Sequence, residues 1–297
     1  MDKSQPQFPV YIPSKGRPST TLTTKTLDFM KVPYKIIVEE QEYKAYCQNI
    51  DKKNILVLDK SYQENYNYMD EYDDLGKAKG KGAGPVRNFA WDHSIAEGHK
   101  WHWVMDDNIR WFYRLNNNKK LRVSNGGALR AMEDFTLRYS NVVISGPHYM
   151  FFKPAKAKHP PFVRNRRIYS CLLIKNDIPF RWEGRYNEDT LLSIAVLKKG
   201  YATILFNAFL QGKVATMTMK GGCNEEFYQK ESRIVNSTFL TKIHPDIARL
   251  AWRFGRPHHY VDYDRFKNNS LGKRTDLNIE SGNNEYGMKL KKINDKS

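Results

Sequence analysis

Cysteine is scarce in this chain. Its 297 residues include three, Cys47, Cys171 and Cys223, far apart and odd in number. They form neither a disulfide framework nor a zinc knuckle, and such thiol use fits a reducing compartment. Long hydrophobic runs are missing as well. The longest mostly apolar stretch, Tyr201 to Leu210, is interrupted by Asn207, whereas a bilayer-spanning helix needs about 20 apolar residues. Met1 to Val10 contains no apolar signal region, so the expectation is a cytoplasmic protein with no membrane partner. Acid is the third shortage. Thirty-two Asp and Glu face 49 Lys and Arg, a net charge of +17.

The acids are also unevenly placed. None occurs from Phe135 to Asn176, a stretch that holds Arg138, Lys153, Lys156, Lys158, Arg164, Arg166, Arg167 and Lys175. They gather instead at Glu64, Asp70, Glu71, Asp73 and Asp74. A segregated basic face attracts polyanions, of which nucleic acid is the commonest in cytosol; a merely solvated surface is the alternative. Hydrophobic residues make up 40% of the chain and aromatics 13%, enough to fill a core and exclude general disorder. No internal repeat is visible, which excludes a solenoid.

Short apolar runs alternate with helix-like stretches. Val10 to Ile12, Tyr34 to Val38, Asn54 to Leu58 and Trp101 to Met105 read as strands. Thr24 to Lys31, Gln41 to Ile50 and the segment opened by Pro85 and closed by Gly98 read as helices. Asp59 to Gly84 reads as a long polar loop. A hairpin (Trp111–Tyr113 with Leu121–Val123), a helix from Ala128 to Tyr139 and strands at Asn141–Ser145, Tyr169–Ile174 and Ala202–Phe206 follow. This order predicts one α/β domain of Rossmann type, with a mostly parallel central sheet and helices on both faces. It extends to about residue 266, and 267–297 reads as a polar, flexible tail. Ligands of such sheets sit beyond the carboxyl ends of the strands. The turns Pro13–Pro18 and Asp106–Asn108 both lie there.

Asp106, Asp107 and Asn108 can hold a hard cation such as magnesium or manganese through oxygen, or cap a turn. Pro13, Ser14, Lys15, Gly16 and Arg17 form either a phosphate grip or a plain basic turn. Gly82 to Asn88, including Arg87, places small residues at a helix start, a candidate phosphate cradle. Asn187 caps a helix whose first turn carries Glu188 and Asp189; these acids complement the helix dipole or supply a general base. Arg164, Arg166 and Arg167, and the run around Trp252 and Arg256, mix cations with aromatics as DNA-contacting surfaces do. His258 or His259 could add an imidazole to a metal.

Taken together, the stretches around Pro13–Pro18, Ala83–Asn88, Trp103–Ile109 and Tyr186–Leu192 resemble glycosyltransferases of the GT-A fold. Glu183–Thr190, Leu205–Leu210, Met219–Gly222 and Trp252–Arg256 narrow the resemblance to the TET-associated glycosyltransferases of bacteriophages, over residues 8 to 266. That resemblance implies transfer of a sugar, glucose- or arabinose-like, from a nucleotide-sugar donor such as a UDP-sugar. The acceptor would be hydroxymethylated pyrimidine, 5-hydroxymethylcytosine first, in phage DNA within the host cytoplasm. It places Pro13, Ser14, Lys15, Arg17, Arg87, Asn88 and Asp106 around the donor. Asp107 and Asn108, with His258 as a further ligand, would hold the metal. Asp189 would be the base of an inverting transfer, with Glu188 as the substitute. Lys156, Lys158, Arg164, Arg166, Arg167, Trp252 and Arg256 would meet DNA. Cys223 and Asn224 follow Gly221-Gly222, where the family pattern has Asn directly. Two rivals remain open from the residues alone. Nucleotidyl transfer would need a third strand-end carboxylate, and a non-catalytic nucleic-acid-binding module would use these acids only as caps.

Overall fold

The computed structural model describes residues 3–72, 82–116, 119–153, 159–214, 221, 233–253 and 255–277. In chain order the elements are β1 (Val10–Pro13), α1 (Leu22–Phe29), β2 (Lys35–Val38), α2 (Tyr43–Tyr46), β3 (Ile55–Val57), α3 (Ser61–Glu64), α4 (Gly84–Ala96), β4 (Trp101–Met105), β5 (Ile109–Asn116) and β6 (Lys119–Arg122). There follow α5 (Gly127–Thr136), β7 (Val142–Tyr149), β8 (Phe162–Arg164), β9 (Cys171–Lys175), α6 (Glu188–Lys198), β10 (Ala202–Lys213), α7 (Arg233–Ile243), β11 (Ala248–Arg253) and β12 (Arg256–Val261).

Side-chain alternation makes the layers. On β1, Val10 and Ile12 join a cluster with Leu27 of α1, Tyr46 of α2 and Met132 of α5. Tyr11 points the other way, to Ala90 of α4. On β9, Cys171 and Leu173 face the first layer, while Leu172 and Ile174 face Trp91 of α4, Val196 of α6 and Phe239 of α7. Strands buried on both faces read as unbroken apolar runs, which is why β4 is visible in the sequence to the residue.

The main sheet has the order β3-β2-β1-β4-β9-β7-β10-β5-β6, with β8 pairing β10 off that path. From β3 to β4 the ladders are parallel. Between β4 and β7, β9 lies antiparallel to both, and β10 then runs parallel to β7. The expected α/β class with helices on both faces is therefore the fold. β1 and β4 are neighbours, so the turns leaving their carboxyl ends adjoin.

Several local expectations change. A single 3-10 turn, Glu40–Glu42, leads into the one-turn α2, so the helix over Gln41–Ile50 is mostly not α-helical. Within the polar stretch, α3 and a 3-10 turn at Asp70–Tyr72 form, and 73–81 lie outside the described residues. β10 does not end at Phe206. Its Asn207 and Ala208 N–H groups both donate to the Pro161 carbonyl, the register shifts, and the strand continues against β5. Asn187 is no side-chain cap: its backbone is left-handed (φ 56°), and its amide donates to the Asn236 carbonyl at 3.0 Å. The start of the expected tail is docked. Asn269 donates to the carbonyls of Leu197 and Tyr201, and Tyr139 bridges to Lys273. Residues 278–297 lie outside the described residues.

Gly84 marks a close approach at the start of α4. A Cβ there would stand 1.9 Å from the Tyr66 hydroxyl, which itself donates to the Gly184 carbonyl at 3.0 Å. Gly84→Ala is expected to cost about 1–3 kcal/mol by overpacking. Urea unfolding of Gly84→Ala, Tyr66→Ala and the double variant checks it. The two losses will add to more than the double variant shows, because removing the ring removes the clash.

Candidate active site

The turn after β4 is built into the fold at both ends. The Asp107 carbonyl accepts from Leu22 N–H and Thr23 N–H at 2.9 and 3.2 Å, at the start of α1. The Thr23 hydroxyl donates to the Asp106 carbonyl at 2.5 Å. The Asp107 carboxylate accepts from the Ser14 hydroxyl at 2.7 Å and pairs with the Arg17 guanidinium. A second Arg17 nitrogen donates to the Gly221 carbonyl at 2.9 Å. Asp107 and Arg17 are both buried. The acid read as a metal ligand or turn cap is thus an interior counter-ion that ties β1, β4 and α1 together.

Asp106 lies between two cations. Its Oδ1 accepts from Arg87 at 2.8 Å and its Oδ2 from Lys213 at 2.6 Å. Burial alone would raise its carboxyl; Lys213 and Arg87 instead hold it well below the usual range. Arg87 also reaches Glu188 Oε1 at 3.1 Å and lies over the Trp182 ring, 4.6 Å from its centroid. Lys213 Nζ donates to Ser170 Oγ at 2.8 Å, and that hydroxyl shares a 2.6 Å hydrogen bond with Tyr149. Ser170 has φ 65°, a conformation rare outside glycine.

The two acids at the start of α6 separate. Glu188 turns to Arg87; burial raises its carboxyl, with Arg87 opposing and Asp189 adding to the rise. Asp189 turns elsewhere, its Oδ1 accepting from the Thr190 hydroxyl at 3.4 Å while Arg167 donates to Thr190 Oγ1 at 3.2 Å. Burial lifts the phenols of Tyr149, Tyr169 and Tyr263, and the charge of Asp189 lifts each further. Burial opposes the Arg167 charge, and Asp189 leads the groups that offset it. The charge of Asp189 therefore acts on three tyrosines and Arg167, whereas Glu188 belongs to the ion-pair network of Arg87 and Asp106.

Other expected residues take different places. Lys15 is partly exposed and pairs with Glu39 at 3.1 Å. Asn88 clamps the Trp182 backbone through both amide atoms, at 3.0 and 2.9 Å, rather than facing a donor. In the segment read as a phosphate cradle, Gly82 to Asn88, the space over Gly84 is taken by Tyr66. The three arginines do not share one face: Asn165 is left-handed (φ 56°), Arg164 is exposed, Arg166 pairs with Asp264 at 2.9 Å, and Arg167 lies 4.6 Å from the Tyr169 ring centroid. Trp252 and Arg256 are exposed on the β11–β12 hairpin. Lys156, Lys158, Gly222, Cys223 and Asn224 lie outside the described residues. Lys213, Ser170 and Tyr149 went unread in the sequence, because no motif surrounds them.

A family model described as TET-associated glycosyltransferase matches residues 8–222, well over half of the chain. The chain belongs to this family. No curated protein matches it. In this TET-associated glycosyltransferase the matched span runs from β1 through β10 and holds the acidic turn, Lys213 and the Glu188–Asp189 pair, on a GT-A-like α/β fold. No helix among the described residues is long and apolar enough to cross a membrane.

The resemblance implies a divalent ion at the acidic turn, and the residues present do not fit a resident one. All four carboxylate oxygens of Asp106 and Asp107 already accept from a cation or hydroxyl. Among the described residues no three His, Cys, Asp or Glu side chains are grouped to hold a metal. Asn108 Oδ1 is buried without a hydrogen-bond partner among the described residues, a single neutral ligand atom. His258, expected as a further ligand, is on β12, where its Nε2 accepts from Arg256 at 2.9 Å.

Asp107 accordingly carries stability as the counter-ion of Arg17. Asp107→Ala strands the buried Arg17 charge, and a broken buried pair costs about 3–5 kcal/mol. Urea unfolding will show that loss, and Arg17→Met added to Asp107→Ala will recover part of it. An unchanged midpoint for Asp107→Ala would contradict the structural role.

Proposed function

We propose that this glycosyltransferase moves a sugar from a nucleotide-sugar donor, a UDP-sugar first, to the hydroxymethyl oxygen of 5-hydroxymethylcytosine in phage DNA, with inversion. The carrying observation is the setting of Asp189: a carboxylate in the first turn of α6, facing Arg167, Tyr149 and Tyr169 beside the strand-end turns. Asp189 takes the acceptor's proton as the oxygen bonds to the anomeric carbon. The bond from that carbon to the diphosphate breaks, and its electron pair leaves with the diphosphate oxygen.

The acceptor side is aromatic and basic. Tyr149 stacks on Phe152 with centroids 5.9 Å apart, and Phe151 beside it is 86% exposed. Exposed rings give an extruded base a surface to stack on, since chemistry on a base needs it out of the helix. Arg164, with Trp252 and Arg256 on the hairpin, offers contacts to the DNA backbone. Lys15 stands on the donor side. The nucleotidyl-transfer alternative gains nothing here, because among the described residues no third carboxylate is grouped with Asp106 and Asp107 so as to hold a metal: Glu188 meets Asp106 only through Arg87.

The test is intact-mass analysis of a hydroxymethylated oligonucleotide incubated with the enzyme and a panel of nucleotide sugars. A mass gain of one sugar on the modified strand, and none on unmodified cytosine, is the expected result. Asp189→Asn keeps size and removes basicity, so transfer should fall by at least about 10²-fold with diphosphate binding unchanged. Glu188→Gln serves as the comparison. Full transfer by Asp189→Asn, or a product that keeps the donor's anomeric configuration, would end the inverting assignment.

A further inference from the structure

Glycosyl transfer, on the reading above, releases a nucleoside diphosphate whose bridging oxygen gains negative charge as its bond to carbon breaks. A group of opposite charge must already stand there. A divalent ion is one solution and a fixed ammonium is another. The acidic turn of this protein does not fit the ion, and three cations crowd it instead: Arg17, Arg87 and Lys213.

These three are not equivalent. Arg17 is spent on Asp107 and Gly221, with its side chain 7% exposed. Arg87 holds Asp106 and Glu188 at 5% exposure. Lys213, at 14%, is the one that solvent reaches most. Its position is also engineered by the backbone. The ladder between β10 and β5 shifts register between Gly212 and Lys213, placing Lys213 opposite Ile109, and Val214 N–H donates to the Asn108 carbonyl at 3.1 Å. Bulges of this kind re-aim a side chain and recur beside active sites. Here it turns the ammonium onto Asp106.

Ser170 supplies an independent sign. Its positive φ is strained in a non-glycine residue and persists only where the surroundings impose it. The Ser170 carbonyl accepts from Asp106 N–H at 2.8 Å, and its hydroxyl meets both Lys213 and Tyr149. Strain is thus maintained at the residue that holds the ammonium in place. Asp106 and Ser170 accept two of the Lys213 N–H bonds, and Nζ also lies 5.9 Å from the Tyr149 ring centroid, a weak contact that a diphosphate oxygen can displace.

We propose that Lys213, backed by Arg87, does in this protein what a divalent ion would otherwise do: its ammonium binds the donor's diphosphate and meets the oxygen on which charge develops. The ammonium keeps its proton throughout. The electron pair of the breaking bond stays on the diphosphate oxygen, and the acceptor's proton goes to Asp189. Asp106 and Ser170 are positioning residues for that ammonium.

Isothermal titration of the full chain with UDP, GDP, ADP, CDP and TDP, in EDTA and in manganese, tests this without reading turnover. One diphosphate should bind in EDTA with affinity within about twofold of that in manganese; Lys213→Met should weaken it at least about tenfold, and Lys213→Arg much less. Thermal melts will establish that each variant is folded. Binding that vanishes in EDTA and returns with manganese would overturn the inference and leave the glycosyltransferase reading standing. So would Lys213→Met binding as tightly as wild type. If no diphosphate binds in either condition, both fall together. The wild-type comparison in EDTA and manganese needs no variant, so the proposal stays falsifiable even if Lys213→Met does not fold.

Discussion

Asp106 bonds two cations at once, and the rest of the site depends on that. Taking a carboxylate, a guanidinium and an ammonium out of water costs several kcal/mol per ion, offset only when partners are placed well. Arg87 comes from α4, Lys213 from the end of β10, Glu188 from the start of α6 and Asp106 from the end of β4. Four elements far apart in sequence must therefore be registered against one another before the network can form. The Asp107–Arg17 pair does the same for β1 and the turn after β4. Together these pairs convert a generic property of α/β sheets, ligand space beyond the strand ends, into one particular arrangement of charge.

Much of the scaffold was legible because its signals are local. Trp101–Met105 reads as a buried strand since helices cover both of its faces, and Pro85 and Gly98 bracket α4 by backbone preference alone. Two adjacent parallel strands also made the meeting of Pro13–Pro18 with Asp106–Asn108 foreseeable. What stayed hidden depends on partners distant in the chain. Asn207 looks like a strand end, yet the Pro160 and Pro161 carbonyls accept from its side-chain and backbone N–H groups and let β10 run on. Lys213 ends that hidden extension and is aimed by a bulge, which no spacing of residues announces. Asn88 reads like a donor contact and is a clamp on Trp182, because an amide imitates a backbone group equally well in either setting.

Charge density misled in an instructive way. Arg164, Arg166 and Arg167 are nearly consecutive, so sequence reads them as one patch. The left-handed backbone at Asn165 and the end of β8 send them to solvent, to Asp264 and to Thr190 and the Tyr169 ring respectively. A run of like charges reports composition, whereas its function follows from where each side chain finds a counter-charge. The same holds for the acids. Asp106 and Asp107 are neighbours that separate into a bridge between Arg87 and Lys213 and a sealed counter-ion of Arg17.

Glu188 and Asp189 carry this reasoning to the chemistry. Successive helical residues point about 100° apart, so two adjacent acids cannot enter the same environment. Arg87 claims Glu188 because the cation is already fixed by Asp106 and by stacking on Trp182. That contact leaves Asp189 as the first-turn acid facing the tyrosine-lined side, where its charge acts on Arg167, Tyr149 and Tyr169. A base needs a carboxylate that is ionised yet not already committed to a salt bridge. The division of labour between the two acids thus follows from Asp106 having fixed Arg87. The proposed base and the placement of Lys213 both trace to the same buried charge.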